Sequence, residues 1–480
     1  MKKIAVISFV LFSLNTLAQT AQKWENVYGG SGIEEGFGVR CYYNKGYVAV
    51  GSSGTNGVSD GYLVRTDTVG MALWEKYYGG NNVDVIRALR VLPDSGFIMA
   101  GYSNSGGHGG YDGWLIRADK NGDTLWTKYI GTSNWDFFYD VYPTYDGGFV
   151  LAGGTYGQGA GDEDMYFVKT DANGDTLWTR TYGGTRTDEA RGIIETGDSL
   201  IYATGFTNSL GDSLGDIWLL RLDQTGDTLF TKLNGTPNAK DQGYGISKID
   251  PWGWIFVSGM ETVAGDEQAV MWLITLSNGN TLQNNTFGNI GIENYMATAA
   301  YPSGHYGFAG YSSDQGAGGG DVFFKSDFNL TTFGGPQPDF AYGMDTAYEG
   351  GYIVCGQSTS FGQGLDQLYL VKSDSNGSSS NVLGLHELLS NKNVQAGVYP
   401  NPASENIYFS IPFETADEHT ILISDGQGRV INEFKNLAGI QTDGHTLYTI
   451  PLSGMDNGIY FITFQNSASA NYSAHFIIQN

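Results

Sequence analysis

The stretch DMYFVKTDANGDTLWTRTYGG, residues 164–184, decides the fold of this chain. Its first eight residues alternate large apolar with polar side chains and are rich in aromatic and β-branched types, which is typical of a half-buried strand. Asn173 and Gly174 then supply the backbone conformations that a tight hairpin turn needs. A second alternating run follows and ends at Gly183-Gly184. The stretch therefore predicts two antiparallel strands joined by a short turn.

Near-copies of this hairpin recur along most of the chain. The copies that align best begin at Asp60, Asp112, Asp164 and Asp216, each 52 residues after the previous one. Self-similarity at a fixed period is the signature of a repeat architecture. Two series of seven glycines extend the pattern. One series is Gly29, Gly79, Gly131, Gly183, Gly235, Gly288 and Gly334, and the other is Gly51, Gly101, Gly153, Gly205, Gly259, Gly310 and Gly356.

Each repeat reads as four strands, the number found in one blade of a β-propeller. In one repeat the strands are predicted at residues 189–196, 200–207, 216–223 and 227–233. The seventh repeat supplies only three, at residues 340–348, 351–358 and 367–373. We expect KWENVYGG, residues 23–30, to be the missing strand, because closing the array removes edges that invite aggregation. The predicted fold is an all-β, seven-bladed β-propeller whose N-terminal strand closes the last blade, followed by a small C-terminal β-sandwich.

The composition limits the classes of partner. The 480-residue chain contains 71 glycines and 14% aromatic residues, which suits many short strands and tight turns. Its formal charge of −25 disfavours nucleic acid and anionic membrane surfaces, because their phosphates would be repelled. The same charge is compatible with cation binding, although an acidic surface usually serves solubility alone. Nucleic acid is therefore not expected as a partner.

Two cysteines, Cys41 and Cys355, fall in the first and last repeats. Those repeats would meet in a closed propeller, and an exported protein can hold a disulfide there. Two buried thiols are the favoured interpretation, since sequence does not establish that the two Cα atoms approach closely enough for a bond.

The N-terminus carries an export signal. A basic start at residues 1–3 precedes an apolar run at residues 4–17 and small residues at 16–18. This pattern is typical of a secretory signal peptide that is cut after Ala18. The apolar run is shorter than the roughly 20 residues that a membrane-spanning helix needs. The predicted organisation is a signal peptide at 1–18, the propeller at 19–374, a linker at 375–392 and a separate domain at 393–480.

The C-terminal segment has a different pattern. Alternating strands with glycine-containing turns predict a small β-sandwich there. The segment closely resembles the C-terminal sorting domain of type IX secretion system substrates. The residues that carry the resemblance are the YPNP motif (Tyr399, Pro400, Asn401 and Pro402), Gly428 in the turn at 425–429, Gly458, Tyr460 and a final apolar strand. The resemblance implies that the type IX machinery recognises residues 393–480 and delivers the chain to the outer cell surface or the medium. A carbohydrate-binding sandwich is the alternative.

No catalytic motif stands out in the predicted propeller. His108 and His305 are its only histidines, and neither forms a recognisable arrangement with a serine or cysteine. Carboxylates are numerous enough for a glycoside-hydrolase pair to meet in space, but no spacing selects one. No catalytic residue is therefore assigned.

Two features suggest calcium, and each has a simpler interpretation. Residues 119–123 and 171–175 resemble the start of a calcium loop but lack its later glycine and glutamate, so a structural turn is favoured. The loops between the second and third strands of the repeats are rich in glycine and aspartate. Asp162, Glu163 and Asp212 are the candidate calcium ligands in those loops. Glycine and aspartate also make turns, and that role is the favoured one.

The same loops should share a propeller face with the loops that follow each Tyr-Gly-Gly. Trp135 interrupts the repeat pattern in one of the latter, and His108 and Tyr111 lie in the neighbouring loop. An exposed aromatic ring there could stack on a sugar or anchor a protein. Trp135, His108 and Tyr111 are therefore the candidate ligand-binding residues, with core packing as the alternative for the tryptophan. Trp252 and Trp254 also depart from the repeat.

A repetitive scaffold without a catalytic motif favours a secreted or cell-surface protein that binds a glycan or another extracellular ligand, for adhesion or capture. Propellers also host glycoside hydrolases and polysaccharide lyases, so an extracellular polysaccharide-degrading enzyme is the second hypothesis. A structural component of a surface layer is the third. Polysaccharide breakdown would favour the second hypothesis, and self-assembly without a ligand would favour the third.

Overall fold

The computed structural model describes residues 23–55, 57–249, 252–362, 365–379, 397–399, 406–412, 419–425, 429–442, 445–466 and 471–478. The predicted signal peptide, most of the predicted linker, and the motif residues Pro400, Asn401, Pro402 and Gly428 lie outside the described residues. The described part of the chain contains β-strands and no helix. The predicted all-β fold class is therefore confirmed.

The described chain from residue 24 to residue 373 forms seven four-stranded antiparallel sheets. The chain of strands begins with β1 (Trp24–Tyr28). The first sheet contains β2 (Ile33–Cys41), β3 (Tyr47–Thr55), β4 (Val58–Thr66) and β5 (Ala72–Tyr78). The second contains β6 (Asp84–Val91), β7 (Phe97–Ser103), β8 (Asp112–Ala118) and β9 (Thr124–Ile130). The third contains β10 (Asp136–Pro143), β11 (Phe149–Thr155), β12 (Asp164–Thr170) and β13 (Thr176–Tyr182).

The remaining sheets follow the same order. The fourth contains β14 (Asp188–Glu195), β15 (Ile201–Thr207), β16 (Asp216–Leu222) and β17 (Thr228–Asn234). The fifth contains β18 (Gln242–Ile249), β19 (Trp254–Val263), β20 (Asp266–Thr275) and β21 (Thr281–Phe287). The sixth contains β22 (Glu293–Ala300), β23 (Tyr306–Ser312), β24 (Asp321–Ser326) and β25 (Leu330–Phe333). The seventh contains β26 (Asp339–Thr346), β27 (Tyr352–Ser358), β28 (Gln367–Ser373) and β1.

The seventh sheet joins the two ends of the repeat region. Its order is β1-β28-β27-β26, and β1 pairs antiparallel with β28, with Trp24 opposite Lys372. The first strand of each sheet packs against the first strand of the next sheet, and β2 also packs against β26. The first residues of the predicted linker continue this region, because Asp374 N donates to Ser378 O at 2.9 Å in a tight turn.

Local sequence explains the hairpins. In the turn between β12 and β13, Gly174 has φ +78°, a left-handed conformation that glycine adopts without strain. Asp171 Oδ1 accepts hydrogen bonds from Asn173 N and Asp175 N at 2.8 and 2.9 Å. The strands of the fourth sheet begin and end within one residue of their predicted bounds. Alternation and turn chemistry were therefore enough to place these strands.

Apolar side chains fill the space between neighbouring sheets. Val39, Leu89, Val141 and Ile193, which lie one per sheet on the first strands, are fully buried. The repeated tryptophans of the outer strands, Trp74, Trp126 and Trp178, pack against these cores. Each such aromatic ring contributes on the order of 2 kcal/mol by burial. The sheets are thus held to one another chiefly by apolar packing.

Residues 397–478 form two further four-stranded sheets within their described part. One contains β29 (Gly397–Tyr399), β30 (Asn406–Pro412), β34 (His445–Pro451) and β33 (Ile440–Thr442). The other contains β32 (Val430–Lys435), β31 (His419–Asp425), β35 (Gly458–Asn466) and β36 (Asn471–Ile478). Side chains from both sheets, including Phe409, Ile423, Ile450 and Phe464, share one core. This arrangement agrees with the predicted β-sandwich.

Both cysteines carry free thiols. Cys355 is buried, and Cys41 is half-buried with its Sγ 3.1 Å from Tyr43 O. Burial raises the pKa of the Cys41 thiol to about 11, so it is poorly reactive at neutral pH. Within the described residues, no helix is long and apolar enough to cross a membrane.

Candidate binding site at the centre of the sheets

Every first strand carries a β-bulge near its middle. The pairing with the second strand shifts at Gly36/Gly38, Ile86/Ala88, Phe138/Asp140, Ala190/Gly192, Gly243/Ile246, Tyr295/Ala297 and Ala341/Gly343. A bulge leaves the skipped residue unpaired and re-aims its side chain. The skipped residues include Phe37, Arg87, Tyr139, Arg191, Tyr244, Met296 and Tyr342, and these seven are called the bulge residues below.

The second series of repeated glycines lies opposite these bulges. A Cβ atom built on Gly153 would lie 1.7 Å from Phe137 O, the carbonyl just before the bulge of β10. No side chain fits such a close backbone approach, so glycine is required there. The glycine series in the sequence is therefore a consequence of the bulge in each first strand.

The bulge residues surround one cavity. All seven are half-buried, and all seven line a cavity of about 100 Å³ to which every first strand contributes. Five of the seven side chains are aromatic or arginine side chains that combine an apolar body with a polar group: Arg87, Tyr139, Arg191, Tyr244 and Tyr342. This combination is typical of ligand pockets, where apolar walls hold a few polar groups.

Two arginines dominate the cavity wall. The Arg87 guanidinium lies 3.9 Å from the ring centre of Phe37 and 5.6 Å from that of Tyr139. The Arg191 guanidinium lies 4.3 Å from the Tyr139 ring centre and forms an ion pair with Glu189. Each cation–π contact contributes about 0.5–2 kcal/mol. Tyr139 therefore lies between the two guanidinium groups and fixes their positions.

The cavity is electropositive although the chain is strongly acidic. Its wall contains four arginines, Arg40, Arg87, Arg90 and Arg191, and one acidic residue, Asp140. Arg90 Nη2 donates to Asp140 Oδ1 at 2.8 Å, so that pair is neutral. Burial lowers the pKa of Arg40 to about 10, and the charge of Arg90 adds to this effect. The cavity thus concentrates positive charge on a protein whose net charge is −25.

A partly exposed aromatic cluster lies beside this cavity. Tyr102, Tyr111, Trp135, Phe137 and Tyr156, called the Trp135 cluster, contact one another with ring centres 5.0–6.4 Å apart. The Trp135 side chain is 51% exposed. Phe137 stacks on Tyr139 with ring centres 6.3 Å apart. A continuous line of aromatic rings therefore leads from the surface to the arginines of the cavity.

Two of the three predicted ligand-binding residues meet in this cluster. Tyr111 and Trp135 touch edge to face, with ring centres 5.7 Å apart, and Asp136 N donates to Tyr111 O at 2.8 Å. The core-packing alternative for Trp135 does not fit its exposure. His108 is exposed in the same loop as Tyr111, and its backbone N–H donates to Asp112 Oδ2. Among the described residues, the His108 imidazole makes no ring contact with the cluster, and the backbone of His108 supports the loop.

Glu163 lies at the edge of the cluster in an unusual environment. Its Oε2 accepts a hydrogen bond from the Tyr156 hydroxyl at 2.9 Å. Its Oε1 is buried and has no hydrogen-bond partner among the described residues. Burial raises the pKa of Glu163 to about 7, and the charge of Glu189 contributes to the rise. Glu163 therefore changes its charge near neutral pH.

The absence of a side chain at Gly154 makes room for Glu163. A Cβ atom on Gly154 would lie 2.1 Å from Glu163 Oε1. The residues at this repeat position elsewhere include Tyr102 and Phe206. Gly154 is thus a local departure from the repeat that allows a carboxylate to fold over β11 towards Tyr156.

The three predicted calcium ligands do not come together in this structure. Asp162 is exposed, Glu163 bonds to Tyr156, and Asp212 accepts hydrogen bonds from Leu214 N at 2.9 Å and Asn238 N at 2.6 Å. Throughout the described ranges, no group of three or more His, Cys, Asp or Glu side chains is placed to hold a metal ion. Calcium binding therefore stays a prediction without a site in the described chain.

Repeated aspartates hold the loops next to the first strands. Asp188 Oδ2 accepts hydrogen bonds from Gly184 N at 2.8 Å and from Ser209 Oγ at 2.6 Å. A Cβ atom on Gly183 would lie 2.1 Å from Asp164 Oδ1 and 2.7 Å from Asp188 Oδ2. Two carboxylates therefore approach each other across the glycine of the first repeated series. These aspartates give the loops a fixed shape, and the sequence interpretation of them as turn residues agrees with this geometry.

The described residues of the predicted sorting motif lie in the C-terminal sheets. Tyr399 ends β29, and Gly458 begins β35. Tyr460 is buried in the core, and its hydroxyl donates to Asp456 O at 3.0 Å. Tyr460 therefore packs within the shared core of the two C-terminal sheets.

The sequence interpretation missed Arg87, Tyr139 and Arg191. The available signal was a charged or aromatic residue in the middle of an otherwise apolar first strand, at one fixed position of each repeat. Alternation alone assigns that residue to the wrong side of the strand, because the bulge breaks the period of two.

A family model identifies the C-terminal region. Residues 397–479 match the model of the secretion system C-terminal sorting domain. The chain therefore carries a sorting domain of the type IX secretion system and is exported to the cell surface or the extracellular space. This finding confirms the resemblance recognised in the C-terminal sequence.

The comparison with curated proteins found no match. Solved structures with detectable similarity include Sqt1 from Chaetomium thermophilum, with 14% identity over 82% of this chain and 96% of that chain and a TM-score of 0.42. Another is the gluconolactonase XC5397 from Xanthomonas campestris, with 15% identity over 58% and 82% of the two chains and a TM-score of 0.35. A third is the acylaminoacyl peptidase of Pyrococcus horikoshii, with 11% identity over 80% and 59% and a TM-score of 0.43. These scores are too low to support a functional argument.

Proposed function

We propose that the chain is a secreted or cell-surface binding protein that captures an extracellular glycan on a seven-bladed β-propeller. The seven four-stranded sheets would be the blades, and the pairing of β1 with β28 would close the last blade. The contact between β2 and β26 supports a closed circle of first strands. The propeller would extend over residues 19–374, joined by a linker at 375–392 to the sorting domain at 393–480.

The observation that carries this proposal is the partly exposed Trp135 cluster, which touches the wall of the central cavity through Phe137 and Tyr139. Soluble proteins rarely leave several large aromatic rings in mutual contact at the surface without a binding role. Aromatic faces stack on the apolar faces of sugar rings, and a tyrosine hydroxyl can also bond to sugar hydroxyls. The sorting domain places the protein where extracellular glycans are present. A glycan is therefore the ligand class that best fits the cluster and the location.

The test is the thermal unfolding midpoint of the secreted full-length chain across a panel of neutral and acidic oligosaccharides, with and without calcium. A ligand that binds only the folded state raises this midpoint. The proposal predicts a rise with at least one glycan. A rise that occurs only with calcium would support a cation site in the acidic loops. No rise with any glycan at saturating concentration would contradict glycan capture.

An enzyme is the second candidate, and one specific observation favours it. Tyr156, Glu163 and Glu189 lie together beside Arg191, and the pKa of Glu163 is raised to about 7. A carboxyl group with a pKa near 7 is suited to general acid catalysis at a glycosidic bond. Release of reducing ends or of unsaturated products from a bound polysaccharide, abolished in Glu163→Gln, would establish this alternative. Binding without turnover would leave the binding function.

A further inference from the structure

We infer that the central cavity binds the carboxylate of an acidic sugar, with Arg87 as the main charged contact and the Trp135 cluster holding the sugar ring outside the cavity. The inference rests on the proposed glycan-binding function and names the class of glycan. It assigns a role to the bulge residues that the binding proposal does not itself require.

The first argument is that Arg87 forms no direct ion pair with any described residue. Among the described residues, its guanidinium makes no ion pair and no hydrogen bond, and its contacts are the aromatic faces of Phe37 and Tyr139. Stacking occupies the faces of a guanidinium and leaves its in-plane N–H donors available. Because Arg87 lines the cavity, those donors serve a group that enters it. A planar carboxylate matches this donor fork in a two-bond arrangement.

The second argument concerns the other charges around the cavity. Arg90 is neutralised by Asp140, and Arg191 is paired with Glu189. Arg40 bonds to the carbonyl oxygens of Val39 and Met344. Arg40 and Arg87 are therefore the two arginines of the wall that form no ion pair with a described residue. An acidic ligand is attracted to this point in spite of the −25 charge of the whole chain.

The third argument is size. A cavity of about 100 Å³ admits a carboxylate but is smaller than the roughly 300–1,000 Å³ of pockets that enclose whole small molecules. The rest of the ligand must therefore lie outside the cavity. The stacked pair of Tyr139 and Phe137 leads outward to Trp135, whose ring centre is 6.4 Å from that of Phe137. A sugar ring against the Trp135 cluster can thus direct a carboxylate inward.

The fourth argument separates a carboxylate from a doubly charged phosphate. Glu163 bonds to Tyr156 of the Trp135 cluster, and its carboxylate repels negative charge beside the cavity. A group with one negative charge is repelled less strongly than a group with two. A monoanionic sugar acid is therefore favoured over a sugar phosphate.

The test is a calorimetric titration of the full-length chain with trigalacturonate and with its methyl ester, in which the carboxylates are neutral. The inference predicts that the acid binds at least tenfold more tightly than the ester. Arg87→Gln should lower the affinity for the acid at least tenfold and leave the affinity for the ester within twofold. The affinity of Arg87→Lys for the acid should lie between those of the wild type and Arg87→Gln, because lysine keeps the charge and loses the two-bond geometry. Arg180→Ala, a change of a surface arginine of β13, should alter neither affinity.

The outcomes separate this inference from the proposed function. Equal binding of acid and ester through Trp135 would overturn the acidic-sugar inference and keep glycan capture. The absence of any oligosaccharide binding to the wild type would overturn both the acidic-sugar inference and the proposed glycan capture. Binding of a triglutamate peptide in place of the sugar acid, abolished by Arg87→Gln, would overturn the sugar assignment. Circular dichroism of each variant checks its fold, and Arg87→Lys keeps the test valid if Arg87→Gln does not fold.

Discussion

The Tyr369 hydroxyl donates a hydrogen bond to Glu25 Oε2 between two residues that lie 344 positions apart in the sequence. Both side chains are buried, and they lie on the paired strands β28 and β1. Burial raises the pKa of Glu25, while its hydrogen bonds from Ser379 and Tyr369 oppose the rise. The contact therefore stabilises a buried carboxylate at the junction of the two ends of the repeat region.

Tyr369→Phe should destabilise this junction. The substitution keeps the ring but leaves Glu25 with one donor fewer in a buried environment, at a cost of about 1–3 kcal/mol. The thermal unfolding midpoint measures the effect. Tyr77→Phe is the matched control, because the Tyr77 hydroxyl bonds to Glu75 on the exposed surface. Equal midpoints for the two variants would show that the hydrogen bond at the junction contributes no more to stability than the exposed one.

Asp188→Ala should destabilise the loops before β14 and after β15. Asp188 is fully buried and accepts hydrogen bonds from Gly184 N, Thr207 Oγ1 and Ser209 Oγ. Removing the carboxylate leaves these donors without their partner, at a cost on the order of 3 kcal/mol.

Asp175→Ala is the control for Asp188→Ala. Asp175 forms an exposed ion pair with Lys128 at 2.7 Å, and such pairs contribute less than about 1 kcal/mol. Urea denaturation of the two variants gives the comparison. A larger loss of stability in Asp175→Ala would contradict the assigned role of the buried aspartates.

Asp321→Asn should raise stability at pH 8 and change it little at pH 4. Burial and the neighbouring Asp339 raise the pKa of Asp321 to about 6, although Ala317 N opposes the rise. The pKa of Asp321 is thus higher in the folded protein than in the unfolded chain, where it is near 4. The protonated Asp321 therefore contributes its full stability below about pH 4, and this contribution is lost as the pH rises through 6. An asparagine side chain has no titrating proton and stays neutral throughout this pH range.

The measurement for Asp321→Asn is the unfolding midpoint between pH 4 and pH 8 for the variant and the wild type. The difference between the two curves should grow with pH through about 6. A constant difference would show that Asp321 is already ionised in the folded protein throughout this range.

Binding of an acidic sugar should weaken as the pH rises through 7. Because the pKa of Glu163 is raised to about 7, this side chain gains a negative charge between pH 6 and pH 8. That charge lies beside the cavity and repels a carboxylate. Glu163→Gln should remove the pH dependence, and Glu75→Gln on the exposed surface should keep it. An unchanged pH profile in Glu163→Gln would exclude Glu163 as the titrating group.

Deleting residues 397–480 should prevent release to the cell surface or the medium without changing the fold of the repeats. The matched sorting domain lies within the deleted segment, and its core is formed by its own two sheets. Cell fractionation with an antibody against the repeats measures the location. Surface display of the truncated chain would show that a signal outside the sorting domain is sufficient for export.

Local patterns in the sequence predicted the strands because the residues that determine each hairpin lie within the hairpin itself. Asn173-Gly174 fixes one turn, and the alternation on either side fixes the strands that it joins. The pairing of β1 with β28 was also predictable, since the seventh repeat lacked a strand and residues 23–30 had the matching sequence. In these cases short-range chemistry or simple counting is sufficient.

The central site was only partly predictable. Trp135 was visible as a departure from the repeat and Tyr111 as an aromatic residue of the neighbouring loop, but their contact depends on how neighbouring sheets pack. Arg87 and Arg191 were missed because a bulge shifts the alternation by one residue. Glu163 was a candidate calcium ligand, and its contact with Tyr156 was not predictable because it depends on the missing side chain of Gly154. Long-range geometry decides each of these relationships, and sequence periodicity does not encode it.

The most direct test of glycan capture compares Trp135→Ala with Trp252→Ala in binding to the best glycan of the panel. Both tryptophans are about half exposed, at 51% and 53%, but Trp252 lies in the connection between β18 and β19 at the opposite end of the sheets. We predict that Trp135→Ala lowers the affinity at least tenfold and that Trp252→Ala leaves it within twofold. Unchanged binding in Trp135→Ala, or an equal loss in both variants, would contradict a glycan site at the Trp135 cluster.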